Sequence, residues 1–459
     1  MIKYKKKFYH PSQMNISNRE KSYLLSLFTI YASSHITRKY HLLNIPLSIL
    51  VLFIVYTVKD VLLFLRIIST NLAVLYFLNK FGSKSVRNKL QYILMFLTFF
   101  FLLRFKWYSK ELNLDIGGAI MVLCIKVYYL GKHPNARFLD ALCYIFLIPG
   151  ILSGPVMSYK AYLQYKNHIN QKNTSNKQNQ KSTNDTTANN IINQRNTNNV
   201  NNTNDTTNTL NLTKITNTSI NVYKTTVESL IYMAVYAICK SKFPLEQIGK
   251  QDSLLKKMLY FIVAVNTQKL KYYFVWKFAE SCYEVIGFKN MININPLKVE
   301  FAGSVKEITE NWNIYTNTWL KESIFVPLKH RGYYLASLAT FTVSALWHGT
   351  YLGYFLMFIT FSLCVPILNN NNLLIKKYFG PASRVISIMQ MSLFVSYFSV
   401  PFFVHDLGRV SLIWQEFYYF GHHFLFLSTL ALLLFKQKRN DSDSSNSSKK
   451  SVDIPNISN

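Results

Sequence analysis

The sequence predicts an all-α protein that crosses a lipid bilayer repeatedly, and three observations carry that prediction. Half of the 459 residues are hydrophobic and 15% are aromatic, yet mean hydropathy is only +0.10, because a long polar tract dilutes a strongly apolar remainder. Apolar runs able to cross a ~30 Å hydrocarbon core, about 20 residues each as helices, recur along the chain. The longest stretch without Lys, Arg, Asp or Glu runs from Gly332 to Ile375 and holds a single histidine, His348. Backbone facing lipid must satisfy its own hydrogen bonds, so the spans are expected to be helices.

The chain opens with a basic group, Lys3, Lys5, Lys6 and Lys7, without an adjacent apolar core and cleavage site. No cleaved signal peptide is expected, and the first spanning helix is expected to direct insertion. A weak apolar stretch covers 22–36. Spanning runs follow at 42–58, 60–80, 90–106, 114–131 and 139–157, then at 226–241 and at 255–287, the last long enough for one helix or two. Further runs lie at 333–350, 352–369, 385–404 and 412–435, which gives about 10–12 transmembrane helices. The organisation read from this is an N-terminal set of helices over 1–165, an insertion over 166–221, a second set over 222–435 carrying the chemistry, and a tail over 436–459. The insertion is an Asn/Thr tract with too few apolar residues to bury, so disorder is expected there and in the Ser/Asn/Lys tail. The tract holds glycosylation triplets at Asn173 and Asn184, which matter only if it faces a lumen.

Charge and cysteine usage exclude several functions. The net charge of +30 is spread among the apolar runs rather than gathered on one soluble face, which argues against nucleic acid. Cations near helix ends snorkel, and those in cytoplasmic loops help set topology. Cys124, Cys143, Cys239, Cys282 and Cys364 have no paired spacing and lie in or beside apolar runs, so they read as packing residues. Metal chemistry is not supported, and no metal ligands are assigned.

Two segments stand out chemically. The charged stretch INPLKVEFAGSVKEITE reads as an amphipathic surface element that leads into NWNIYTNTWLK, residues 311–321. Taken as one helix, 311–321 places Trp312, Thr316 and Trp319 on one face, with Asn313, Asn317 and Leu320 on a neighbouring face. The tryptophans also suit a membrane interface. Asn313 offers a donor and an acceptor, able to hold a carbonyl oxygen or fix an imidazole. The second segment carries His348. An ionisable group at membrane depth is costly and marks a functional site by default. A core imidazole bonded to a backbone carbonyl is the other reading of a lone histidine. The small neighbours Ser344, Ala345 and Gly349 allow close approach, and Trp347 closes one side. A pKa near 6.5 makes imidazole a natural proton acceptor at neutral pH. No Ser or Cys has a nucleophile-elbow context, so a covalent acyl-enzyme is not favoured.

Together these segments resemble the membrane-bound O-acyltransferases, in particular their lysophospholipid acyltransferase branch. The first part of that signature is matched by Trp312, Asn313, Thr316, Trp319, Leu320 and Lys321, and the second by Ser344, Ala345, Trp347, His348, Gly349, Gly353 and Tyr354. Asp115, Gly118, Met121 and Lys126 match a further segment, as do Phe146, Gly150, Gly154, Pro155, Tyr159 and Tyr162. KYYFVWKFAE, residues 271–280, and NPLKVEF with Glu300 also match. The resemblance covers roughly 40–435 outside the insertion. There are departures: Leu352 stands in a proline position, Lys132-His133 replaces the usual Asp-Gly, and the loop around 288–295 lacks the customary Trp-Asp.

The resemblance implies a fold with an internal reaction chamber and transfer of a fatty acyl group from acyl-CoA to the free hydroxyl of a lysophospholipid. His348 would be the general base, and Asn313 would orient the thioester carbonyl or stabilise the oxyanion. Trp312, Trp347, Thr316 and Glu300 would line or support the substrate site, and Lys321, Lys329 and Arg331 are candidates for the CoA phosphates. Acyl-CoA is expected as co-substrate with no further cofactor, lysophospholipid and membrane lipids as partners, and the endoplasmic reticulum membrane as location. A sterol, a diacylglycerol or a protein is the alternative acceptor. A transporter or scramblase with a polar cavity around His348 is the alternative outside acyl transfer. Headgroup, acyl chain, regiochemistry and oligomeric state are not encoded in any motif read here.

Overall fold

The computed structural model describes residues 17–109, 115–167 and 206–431, with backbone alone at 206–220 and 246. Helices make up most of the described chain, and no strand occurs among these residues. The chain divides into two units. One comprises 1–235 with 271–294, and the other comprises 236–270 with 295–459.

The first unit begins with two helices that start on reciprocal caps. Ser17 and Glu20 exchange hydrogen bonds at the head of Asn18–Thr37, and Thr57 and Asp60 do the same at the head of Val58–Phe81. Each pair satisfies amides that a helix start leaves orphaned. Val58–Phe81 and Leu90–Tyr108 are long and apolar enough to cross a membrane. Leu62, Phe77, Phe96 and Phe100 are exposed on them, whereas the Thr98 hydroxyl donates to Asn71 Oδ1 at 3.1 Å in a buried contact between the two. Gly117–Gly131 is shorter, about 22 Å at 1.5 Å per residue. It is buried on nearly every side, so protein rather than lipid surrounds it.

The run 139–157 is not a spanning helix. A short helix, Phe138–Ile145, gives way to a 3₁₀ turn at Ile148–Gly150 and then to non-helical chain as far as 158. Pro149 removes an amide donor, and Gly154-Pro155 is a cis peptide. The freed polar groups are taken up by neighbouring side chains. Ser48 donates to the Phe146 carbonyl, Lys126 to Ile145, Tyr144 to Met157 and Tyr283 to Pro155, at 2.7–2.8 Å, while Asn44 Oδ1 accepts from the Ile148 amide. Irregular backbone at membrane depth is tolerated where protein buries it in this way.

Helix Thr206–Lys242 starts inside the Asn/Thr tract, so 206–221, expected to be disordered, is helical instead. Once the apolar run 226–241 has nucleated a helix, each further residue adds one hydrogen bond at little cost. The glycosylation triplets, the basic start and the 436–459 tail lie outside the described residues.

In the second unit the sequence run 255–287 is a single helix, Leu254–Ile286, whose latter part belongs to the first unit. Leu352–Phe379 and Ser383–Phe398 form an antiparallel pair over a core of Phe261, Phe361, Phe394, Tyr397 and Phe417. The stretch Leu352–Phe403 is a third segment that is long and apolar enough to span among the described residues. The run 412–435 is broken as well. Leu407–Gln415 stops at a turn where Tyr418 and Tyr419 take positive φ, and the helix resumes at 420.

Asn44→Ala tests the account of the 146–157 segment. It leaves the Ile148 amide without its side-chain acceptor and should cost about 1–3 kcal/mol. The expected result is a lower midpoint of thermal unfolding in detergent, and an unchanged midpoint contradicts the assignment.

Candidate functional site

The segment 295–331 is built around a turn held by amides. Val305–Asn311 starts on Ser304, whose hydroxyl accepts from the Glu307 amide, and it ends at Asn311. The chain reverses through Trp312 and Asn313 before Ile314–Leu320 begins. Asn313 is therefore not a helical residue. It sits at the head of that helix in a left-handed conformation, φ 46° and ψ 52°, which asparagine tolerates better than most residues. The single helix over 311–321 expected from the sequence is two helices with a corner between them, and Trp312 shares no helical face with Thr316 and Trp319.

Three asparagines hold the corner. Asn295 bonds to Asn311 through both backbone (3.0 Å) and side chain (3.0 Å). Asn311 Nδ2 donates to the Glu307 carbonyl, and Asn317 Nδ2 reaches back to the Thr309 carbonyl at 2.7 Å. The Asn313 carbonyl accepts from the Asn317 amide at 3.0 Å. Upstream, Arg384 grips Glu307 with two parallel hydrogen bonds (2.9 and 3.0 Å) and also donates to the Phe301 carbonyl. Asn372 Nδ2 donates to the Gly303 carbonyl. Such fork-to-carboxylate geometry fixes orientation as well as distance. After Leu320 the chain makes a π-helical turn, Lys321–Phe325, a form common at functional sites.

His348 is the last residue of the helix Tyr333–His348. Gly349 ends that helix at φ 138°, a backbone open to glycine and strained for other residues. The imidazole is half-buried among aromatic rings. Phe358 stacks at 5.2 Å between centroids, while Phe402 (4.9 Å) and Trp347 (5.0 Å) meet it edge-on and Tyr354 lies at 5.7 Å. The Tyr354 hydroxyl is 3.0 Å from His405 Nε2, and the Tyr351 hydroxyl donates to the Val404 carbonyl. Asp406 beside His405 is exposed and caps the next helix by accepting from the Arg409 amide.

The two signature segments meet at buried indoles, with Trp319 and Trp347 5.9 Å apart and both at most 5% exposed. Thr316 is buried on the Asn313 side of this contact. Glu300 forms an ion pair with Lys269 at 2.8 Å. Lys321, Lys329 and Arg331 are exposed. The sequence does not single out Arg384 or Phe402, and His405 is in it only one of several further ionisable groups without a catalytic pattern around them. No local pattern announces them, since Tyr354 and His405 are 51 positions apart and meet only because the helices fold back. Among the described residues no cluster of side chains is suited to a metal ion.

An ionisable ring among aromatic walls thus ends an apolar helix that meets the segment bearing the asparagine corner through Trp347 on Trp319. Residues 128–400 match the family described as MBOAT, membrane-bound O-acyltransferase family, and the chain belongs to it. Over 374 residues the chain is 22% identical to a lysophospholipid acyltransferase of Schizosaccharomyces pombe, covering 70% of this chain and 67% of that protein. It is 31% identical over 221 residues to membrane-bound glycerophospholipid O-acyltransferase 1 of Mus musculus, covering 44% of each. It is 33% identical over 165 residues to lysophospholipid acyltransferase 2 of Arabidopsis thaliana, covering 31% of this chain and 35% of that one. The chain thus matches about two thirds of the first of these and less than half of the other two. It is an integral membrane protein of acyltransferase kinship.

The hydrogen bonds from Arg384 hold the Glu307 carboxyl below its ordinary value of 4.5. A depressed folded value means that the clasp contributes fully above about pH 4.5 and fades as pH falls through the folded value. The pair is partly solvated, so its worth is ~0–1 kcal/mol. Amide exchange over 301–311 should rise on acidification below that range. In Arg384→Ala it should already be raised at neutral pH and lose most of its pH dependence. An unaltered exchange pattern in the variant contradicts the clasp.

Proposed function

We propose that this protein transfers a fatty acyl group from acyl-CoA to the free hydroxyl of a lysophospholipid, with His348 as general base. The observation that carries the reading is the placement of His348. Its imidazole is half-buried at the end of an uncharged helix that packs, through Trp347 on Trp319, against the segment bearing Asn313. The names of the relatives, all acyltransferases of lysophospholipids or glycerophospholipids, support the choice of substrate class.

A thioester is already activated, so the chain has three tasks: to place the hydroxyl, to take its proton and to stabilise a transient oxyanion. In the proposed step the His348 imidazole accepts the hydroxyl proton as the lipid oxygen attacks the thioester carbonyl. The tetrahedral oxyanion collapses and expels the CoA thiolate, which takes the proton back from the imidazolium. The products are a phospholipid ester and free CoA, and the base is regenerated. Asn313 would orient the carbonyl or donate to the oxyanion. Phe358, Phe402 and Trp347 would keep water from the ring, and holding both reactants in register reaches effective molarities of ~10⁵–10⁸ M in favourable cases. Lys321, Lys329 and Arg331 would meet the CoA phosphates at an exposed edge. Direct transfer in a ternary complex fits, since no nucleophile is required. The endoplasmic reticulum membrane is the proposed location.

His348→Ala should lower acyl transfer from labelled oleoyl-CoA by about 10²–10⁴-fold, the usual range for a lost general base. Asn313→Gly is the sharper test of the second residue, because glycine keeps the left-handed corner while removing the amide. A fall of about 10²–10³ in turnover is expected. Full activity of both variants refutes the assignment. Label appearing only in sterol ester, triacylglycerol or protein refutes the acceptor. Replacing Lys321, Lys329 and Arg331 together by Ala should raise KM for acyl-CoA and leave kcat nearly unchanged, and the reverse split moves those residues into the chemistry.

A further inference from the structure

In the first unit, the turn that joins Val58–Phe81 to Leu90–Tyr108 and the turn that follows Gly117–Gly131 border an open cavity of about 630 Å³. That is within the ~300–1,000 Å³ usual for small-ligand sites. Arg87 and Lys132 line it together with the amides of Asn79, Asn88, Gln91 and Asn135. Gly131 forms its floor, where a Cβ would fall 2.5 Å from the Gln91 Cα, so the two turns close on each other only over a glycine. The walls are tied in place. Asn79 Nδ2 donates to Asn135 Oδ1 at 3.2 Å, Arg87 donates to the Asn79 carbonyl at 3.5 Å, and the Lys132 ammonium lies 4.7 Å from the centre of the Tyr128 ring.

The charge around this cavity is of one sign. Neither 61–110 nor 116–139, the stretches that build it, contains an Asp or Glu, whereas Lys80, Lys84, Arg87, Lys89 and Lys132 all fall within them. Of the acids that flank these stretches, Asp140 is held by Arg137 and Lys166 and Asp115 by Lys106. The cavity also lies at the ends of two helices long enough to span, which places it at headgroup depth. Basic pockets between membrane helices take phosphorylated lipid headgroups, and a guanidinium pairs with phosphate oxygens through parallel hydrogen bonds.

We propose that this cavity binds the phosphomonoester headgroup of an anionic membrane lipid, with Arg87 and Lys132 on the phosphate and the surrounding amides on headgroup hydroxyls. The site is separate from acyl transfer, and its test does not depend on that activity.

The full chain in detergent is titrated with dioctanoyl phosphatidic acid and with dioctanoyl phosphatidylinositol 4-phosphate while thermal stability is followed, since a ligand of the folded state raises the midpoint by mass action. Dioctanoyl phosphatidylcholine and inorganic phosphate are the control arms. The expected result is a saturable rise with a phosphomonoester lipid and little with either control. In Arg87→Gln combined with Lys132→Gln the apparent affinity should weaken at least tenfold, Lys132→Asp should weaken it comparably, and Lys132→Arg should retain it. Both side chains are exposed, so the unliganded midpoint should stay near that of the native protein. If the double variant melts lower, the Lys132→Asp and Lys132→Arg pair decides. Equal responses from native protein and variants overturn the proposal, as does equal stabilisation by phosphatidylcholine. A response to inorganic phosphate that matches the lipid overturns the headgroup assignment.

Discussion

Backbone amides and carbonyls that lie beyond the reach of water must find partners within the protein, and the arrangement of this chain follows from where helices cannot supply them. At 146–157 the helix has ended at Ile145, and four side chains from three other helices complete the hydrogen bonding of the exposed backbone. At 311–313 the break is made without proline, and the asparagines at 295, 311 and 317 supply the missing partners. These polar side chains thus serve first to let the chain leave the helix inside an apolar setting.

The corner at Asn313 and the aromatic pocket at His348 are complementary solutions. The corner is polar, heavily bonded and fixed from behind by Arg384 on Glu307. The pocket is made of rings, with the imidazole stacked on Phe358 and edged by Phe402 and Trp347. A rigid polar edge beside a dry apolar wall gives directed hydrogen bonding in a setting of low dielectric, where such bonds are strongest. The indole contact between Trp319 and Trp347 joins the two without placing a charge between them.

Much of this was legible from residue order. The helical class follows from apolar runs, and the helix bounds at Val58–Phe81, Leu90–Tyr108 and Tyr333–His348 fall within a few residues of the runs that announce them. What periodicity missed was interruption. The segments 139–157, 311–321 and 412–435 are apolar or regular enough to read as continuous, and each is broken by backbone geometry that local composition signals weakly. In 139–157 the Pro and Gly residues were visible warnings. At Asn313 the left-handed turn depends on Asn295 and on Asn317 reaching back to Thr309, contacts that appear only once the chain has folded. His405 lacks any motif, and its relation to Tyr354 comes from the return of the chain between them.

The π-helical turn at Lys321–Phe325 carries a further consequence. Such a turn is an α-helix holding one residue more than its pitch requires, and each α-helical residue advances the azimuth by about 100°. The bulge takes up that surplus within one turn, so the chain beyond it keeps the bearing that an uninterrupted helix one residue shorter would have. A single-codon deletion there would be absorbed as ordinary α-helix, leaving Lys329 and Arg331 on the same side of the axis as seen from Asn313. The turn is thus a place where this chain can gain or lose a residue between the asparagine corner and the basic rim without re-aiming either.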